Sequence, residues 1–208
     1  MYETALDKKT ARAVLCDYSH ISWIFKDFHY KGSVIGGGIT ACFAMFIGDK
    51  MSGGSILGLP RHQEKYPNHL DIRRMACIDS APHNSESWFL SQVIKWAASN
   101  TGKTKILSYS DLSVGHTGTI YRAANFKKIG ETSPTKNILW DGRTYHMRSL
   151  TIDRPYSKKI QNAIANGFAS IETGSPKIIW EYSVSRKMSR KVFALKRIEA
   201  LNQIELFA

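Results

Sequence analysis

Gly115-His116-Thr117-Gly118-Thr119-Ile120-Tyr121-Arg122-Ala123-Ala124-Asn125-Phe126 is the stretch on which the reading of this chain turns. Two glycines let a loop backbone pass close to a ligand, and Thr119 to Asn125 is a predicted short helix. Just upstream, Lys105-Ile106-Leu107-Ser108-Tyr109-Ser110 is a predicted strand, and Asp111 to Gly118 a loop. A strand, a polar glycine loop and a helix in succession put Asp111, His116 and Tyr121 within twelve residues of one another at a strand end.

Outward from there the pattern stays regular. Ser80 to Ser87 is a loop rich in helix-starting residues, after which Trp88, Phe89, Val93, Trp96 and Ala97 recur at helical spacing until Asn100-Thr101-Gly102. Ile39–Ile47 and Met51–Leu59, joined through Gly48-Asp49-Lys50, form a predicted hairpin, and Leu70–Ile78 a third strand with imperfect alternation. Ala11–Leu15 is a first short strand, and Ser19 caps a helix running to Phe28. Downstream, Ile138–Trp140, an Asp141-Gly142 turn and Thr144–Ile152 make another hairpin. Pro155–Gly167 is an inserted helix and Lys177–Val184 a last strand. This order predicts an α/β (α+β) fold with a mixed sheet and helices packed on it, not a doubly wound one. Residues 1–152 are expected to form the core, with 153–208 a basic segment of inserted helix, last strand and terminal helix packed on the same domain. Gly36-Gly37-Gly38 and Gly53-Gly54 lie between no strand and helix, so turn and hinge roles are expected for them.

Charge narrows the partners. Lys and Arg number 29 against 17 Asp and Glu, a formal net charge of +12, which favours polyanions such as nucleic acid. Residues 154–208 carry ten Lys or Arg and four Glu, a net +6. On a helix, Arg186/Arg190 and Lys187/Lys191 would align in pairs suited to a phosphate backbone. The longest apolar run, Ile39–Ile47, is far below the roughly 20 residues of a membrane span, and no secretory h-region is visible. Cys16, Cys42 and Cys77 are odd in number and widely spaced, which argues for reduced thiols in a cytoplasmic protein. The His residues offer no paired ligand spacing beside a carboxylate set, so no metal site is expected.

Two resemblances follow from these residues. Ile120-Tyr121, then Asn125-Phe126, then a strand ending in Gly130-Glu131 resembles the helix-to-strand signature of the GNAT acyltransferase superfamily. Asn125 stands where Gly is usual, a tolerated change because both adopt the left-handed conformation. Met75 to Leu90 with its Ala81-Pro82-His83-Asn84 turn, Ser108-Tyr109-Ser110-Asp111, and Gly115 to Phe126 together resemble the Mom family of Mu-like bacteriophages, across about His29 to Leu150. That resemblance implies a GNAT-like, mostly antiparallel central sheet flanked by helices. It also implies conversion of adenine in phage double-stranded DNA to N6-carbamoylmethyladenine, shielding the DNA from host restriction.

Roles follow by matched position. The resemblance implies Tyr121 as the acid that protonates a leaving group, and Asp111 as acceptor of the N6 proton or a contact to the base edge. His116 is implied as acid/base or DNA contact, and Tyr30 as an aromatic that stacks on a flipped base. Arg73 is a candidate for a donor or DNA phosphate, and Arg122, Arg186, Lys187, Arg190 and Lys191 for the DNA backbone. The Ala81–Ser87 loop lacks the glycines with which the superfamily's acyl-CoA enzymes cradle pyrophosphate. Asn84, Ser85 and Ser87 are then the groups left to hold a donor, either an acyl-CoA-type molecule or a glycyl group, for instance one carried on tRNA. A conventional acyl-CoA-dependent N-acyltransferase acting on a protein or small amine is the alternative.

Overall fold

The computed structural model describes residues 5–30, 38–150, 156–189, 193, 195 and 197. They cluster into two compact units, one drawn from Met1–Tyr109, Gly118–Ile129 and Trp180–Ala208, the other from Ser110–Thr117 and Gly130–Ile179. No helix among the described residues is long and apolar enough to cross a membrane.

The sheet begins with β1 (Ala11–Cys16), β2 (Ile39–Ile47), β3 (Lys50–Gly58) and β4 (His69–Cys77), each antiparallel to the next. β5 (Lys105–Asp111) runs parallel to β4. The order continues through β10 (Lys177–Ser183) to β6 (Lys127–Glu131), giving seven strands in the order β1-β2-β3-β4-β5-β10-β6. The mixed, mostly antiparallel architecture is the expected one.

Helix α1 (Tyr18–Phe28) buries Ile21, Ile24 and Phe25. Its N-cap is Asp17 rather than Ser19, because the His20 ring closes a reciprocal capping box with Asp17. Gly53 and Gly54 are not a hinge. They sit in the middle of β3, where a Cβ on Gly54 would stand 3.1 Å from Ile21 Cβ. Glycine there suits the close approach of α1 to the sheet, since a Cβ would press on α1 by a few tenths of an ångström. Gly36 and Gly37 lie outside the described residues. Helix α2 (Ser85–Asn100) buries Phe89, Val93 and Ala97 of the expected stripe together with Leu90 and Ile94, while Trp88 and Trp96 are only half-buried because the buried face is turned toward Leu90 and Ile94. The short α3 (Thr119–Ala123) ends at Asn125, whose φ of 63° is the left-handed conformation expected there.

A partly buried carboxylate ties the starts of β4 and β5 together. His69 and Lys105 are register partners across β4 and β5. Glu181 on β10 accepts from both, at 2.8 Å from His69 Nε2 and 2.9 Å from Lys105 Nζ.

The second unit carries its own three-stranded sheet, β8-β7-β9, formed by β7 (Lys136–Trp140), β8 (Arg143–His146) and β9 (Ala169–Thr173), with α4 (Ser157–Ala165). The second strand of the expected hairpin is shorter than Thr144–Ile152, since Met147–Leu150 turns into a 3-10 helix. Ile138 and Ile160 are fully buried and form its apolar centre.

Candidate active site

The two parallel strands fork. β4 and β5 pair only at His69–Asp71 with Lys105–Leu107, so from Ile72 and Ser108 onward they no longer bond to each other. In open sheets a parting of this kind, at the carboxyl ends of parallel strands, is where ligands bind. Three side-chain atoms at the fork are buried without a hydrogen-bond partner among the described residues: Asp71 Oδ1, Arg74 Nε and Ser108 Oγ. Buried polar groups are normally satisfied, so three such atoms on neighbouring strand positions mark polar capacity held in reserve.

A bulge arranges two of them. Ile56 pairs with Arg74, Leu57 with Ile72 and Gly58 with Asp71, so Arg73 is the extra residue. Ile56 and Gly58 lie on one face of β3 (the side-chain period of a strand is two), and their partners Arg74 and Asp71 therefore share that face. Without the bulge the acid and the guanidinium would point to opposite sides. Arg73 itself is held by packing: it donates to the Leu59 carbonyl at 2.7 Å. A Cβ at Gly58 would lie 2.6 Å from Arg73 Nε, which explains the glycine there.

Tyr121 comes from α3. Its ring stands 5.5 Å from Phe126 and 6.0 Å from Trp180, centroid to centroid. Gly118, in the left-handed conformation at the helix start, leaves room for that indole. Burial pushes the Tyr121 phenol up to about 12; the Ser108 hydroxyl opposes the shift, while the charges of Asp71, Glu86 and Tyr30 add to it. Ser108 faces the phenol closely enough to exert this pull without the geometry of a formed hydrogen bond. Tyr121 therefore stays protonated at neutral pH and can give a proton but not take one.

Asp71 is the opposite case. Burial raises its carboxyl to about 6, against the lowering influence of Arg73, Arg74 and Arg61. Tyr109 is pushed to about 12 by burial and then by Asp71 and Tyr66, with Arg61 opposing. Burial thus leaves one carboxyl near 6 and two phenols near 12, so their proton affinities are set well apart by environment. The cysteines offer no competing nucleophile. Burial raises Cys16 and Cys77 far above their ordinary value and Cys42 to about 11.

The residues expected from the sequence fall as follows. Tyr30 is exposed and stacks on His29, with centroids 4.7 Å apart. Asn84 begins α2 in the left-handed conformation without a side-chain cap bond. Ser85 Oγ donates to the Pro82 carbonyl at 2.6 Å and Ser87 Oγ to the Asn84 carbonyl at 3.1 Å, so both hydroxyl protons are spent within the loop. Arg122 is exposed, donates to Thr119 Oγ1 and lies 6.0 Å over Trp180. Lys187 is exposed on the short α5 (Arg186–Ser189), which also carries Arg186. Arg190 and Lys191 lie outside the described residues, so their alignment with Arg186 and Lys187 does too.

Asp111 and His116 belong to the second unit. Asp111 accepts from Ser113 N at 3.2 Å and Ser113 Oγ at 2.5 Å on Oδ1, and pairs with Lys177 Nζ at 2.8 Å on Oδ2. His116 is exposed, its backbone N–H donating to the Asp111 carbonyl. Sequence reasoning singled out Asp111 from its motif and passed over Asp71, Ser108 and Tyr109. The signal available was Asp71-Ile72-Arg73-Arg74, three charges inside a strand flanked by apolar residues. Among the described residues no three His, Cys, Asp or Glu side chains converge as metal ligands.

The model of the Mom protein family matches residues 16–195, and the chain belongs to that family. No curated protein matches in sequence. Among solved structures, the ribosomal-protein-S18-alanine N-acetyltransferase from Escherichia coli is similar at 12% identity, TM-score 0.49, over 91% of this chain and 97% of that one. An acetyltransferase from Bacillus subtilis in complex with CoA is similar at 14% identity, TM-score 0.43, over 70% and 77% of the two chains.

Proposed function

We propose that this protein modifies the exocyclic amine of adenine in double-stranded DNA, producing N6-carbamoylmethyladenine and so protecting phage DNA from host restriction. Membership of the Mom family over residues 16–195 carries the reading. The charge of +12 supports a polyanionic partner. N6 is a weak nucleophile because its lone pair is delocalised into the ring, so the enzyme must fix the donor carbon in line and manage two protons. Tyr121 is the acid for the leaving group. Tyr30, exposed and already stacked on His29, offers a flat surface to an unstacked base. Arg122, Arg186, Lys187, Arg190 and Lys191 hold the duplex, and Arg73 with Asn84, Ser85 and Ser87 the donor end. For Asp111, bound to Lys177, we propose contact with the base edge as a charged acceptor, and for His116 contact with DNA.

The donor is an activated group on a leaving thiolate or oxyanion. Because the Ser85 and Ser87 hydroxyl protons are used within their own loop, a conventional CoA pyrophosphate cradle is not the favoured form. The test is mass spectrometry of nucleosides from plasmid DNA after expression in bacteria, with Tyr121→Phe alongside. The expected product is deoxyadenosine heavier by about 57 Da, the atomic composition of one acetamido group, lost in the variant. Unmodified deoxyadenosine in cells rich in folded protein, with tight acetyl-CoA binding by calorimetry, overturns the reading in favour of the N-acyltransferase.

A further inference from the structure

We infer that Asp71, rather than a residue of the recognisable motifs, takes the proton from the acceptor amine as the new bond forms. This rests on the amine-acceptor reading above and adds to it the missing base.

Four observations carry it. Asp71 occupies the last position at which β4 and β5 still pair, so its carboxylate stands at the mouth of the fork. Its Oδ1 is buried and accepts no hydrogen bond among the described residues. The bulge at Arg73 turns Asp71 and Arg74 to one face, so a cation whose Nε is also unpartnered accompanies the acid. Finally, the charge of Asp71 is felt by Tyr121, the proposed acid, and by Tyr109. Asp111, also buried beside a cation, differs in that both its oxygens are engaged, Oδ1 by Ser113 and Oδ2 by Lys177. A base needs an unengaged lone pair, and Asp71 Oδ1 has one among the described residues.

The step balances as follows. The N6 lone pair forms the bond to the donor carbon, and the bond from that carbon to the leaving sulfur or oxygen breaks with its electron pair. Tyr121 gives its phenolic proton to the departing atom, and Asp71 Oδ1 accepts the proton from N6. The groups facing Asp71 are Arg73 and Arg74 on its own strand, Arg61 on the β3–β4 connection, Tyr109 on β5 and Tyr121 on α3. The three arginines keep the carboxylate available at neutral pH despite its burial.

The experiment uses the full chain as wild type, Asp71→Asn and Asp71→Glu. Extracts of the expressing bacteria supply the donor, unmodified plasmid is added between pH 5 and 8, and modified deoxyadenosine is measured by mass spectrometry over time. Near-UV circular dichroism reports folding, and anisotropy of a fluorescent duplex reports DNA binding. Wild type is expected to lose about tenfold in rate per pH unit below about 6, as a single essential base requires. Asp71→Asn, folded and binding the duplex within about twofold of wild type, is expected to lose at least about 100-fold and to show no acid limb. Asp71→Glu, which restores the carboxylate, is expected to recover part of the rate together with the limb. Asp71→Asn working within about threefold of wild type, or keeping the acid limb, overturns the assignment. So does a folded Asp71→Glu that is no better than Asp71→Asn. Absence of modified adenine with wild type, in cells and extract alike, overturns the acceptor reading and this inference with it.

Discussion

Gly118 lies against the Trp180 indole so closely that a Cβ added there would stand 2.7 Å from Nε1, with φ at +80°. Both facts forbid a side chain. Alanine would meet the ring and would also be forced into the left-handed region, at about 1–2 kcal/mol for the backbone alone and about 1–3 more for overpacking. Gly118→Ala is expected to lower the melting temperature by about 5–15 °C in a chain of this size, and a scanning calorimeter checks it. Because Gly118 sets the start of α3, the residual folded protein should modify DNA poorly as well.

Glu181 holds the two strand starts, and its pKa carries the sign of that role. Burial alone would raise it, but the hydrogen bonds from His69 and Lys105 and their charges outweigh burial and lower it. A carboxyl lowered in the folded state contributes stability above its unfolded value, about 4.3, and loses it as pH falls through the folded one. Glu181→Ala removes the carboxylate that accepts from His69, which is 7% exposed. The expected cost is about 2–4 kcal/mol at pH 7, shrinking below about pH 4. Urea melts at the two pH values, with the difference vanishing at neither, would show that Glu181 acts by packing instead.

Asp71 makes the reverse prediction. Its carboxyl is raised to about 6, so the folded state holds the proton more tightly than the unfolded chain. Stability is then greatest below about pH 4 and falls as pH rises toward 6. Asp71→Asn removes the ionised form and is expected to be more stable than wild type by about 1–3 kcal/mol at pH 7.5. The gain disappears at pH 4. Denaturant midpoints at both pH values decide it, and a variant less stable at pH 7.5 would contradict the environment described for this carboxyl. A substitution that stabilises while abolishing modification is the mark of a site strained for function.

The sheet, α1, α2 and the left-handed Asn125 were legible because each rests on local pattern: apolar runs, helical spacing, one residue tolerant of positive φ. The fork was not, since it depends on where two strands distant in sequence stop pairing. Asp71 was hidden for the same reason. In the sequence it is one charge in an imperfectly alternating strand, and only the bulge at Arg73 and the loss of β5 as a partner make it a buried acid with a spare lone pair. Gly53 and Gly54 looked like punctuation because the dipeptide often is, whereas in β3 they face close neighbours, Cys77 and Met45 at Gly53 and Ile21 at Gly54. Asp17 displaced Ser19 as cap through a His20 ring nitrogen, a bond no spacing rule anticipates. β9 went unread because Ala169-Ser170-Ile171-Glu172-Thr173 is short and mostly exposed, and pairs only with β7.

Tyr121 supplies the most direct test of the chemistry, because its hydroxyl and its ring do separable work. The ring packs against Phe126 and Trp180, and phenylalanine keeps those contacts. Tyr121→Phe is therefore expected to fold with a melting temperature within about 2 °C of wild type, as a substitution that preserves packing should. The hydroxyl is the proposed proton source, and loss of a general acid costs about 10²–10⁴ in rate. With the phenol raised to about 12, wild-type activity should show no fall between pH 8 and 10 from this group, whereas an unperturbed tyrosine would begin to ionise near the top of that range. Initial rates of deoxyadenosine modification across that interval check the point. A decline centred below pH 10, absent from Tyr121→Phe, would mean that the phenol is less buried than its neighbours dictate and that another group protonates the leaving atom.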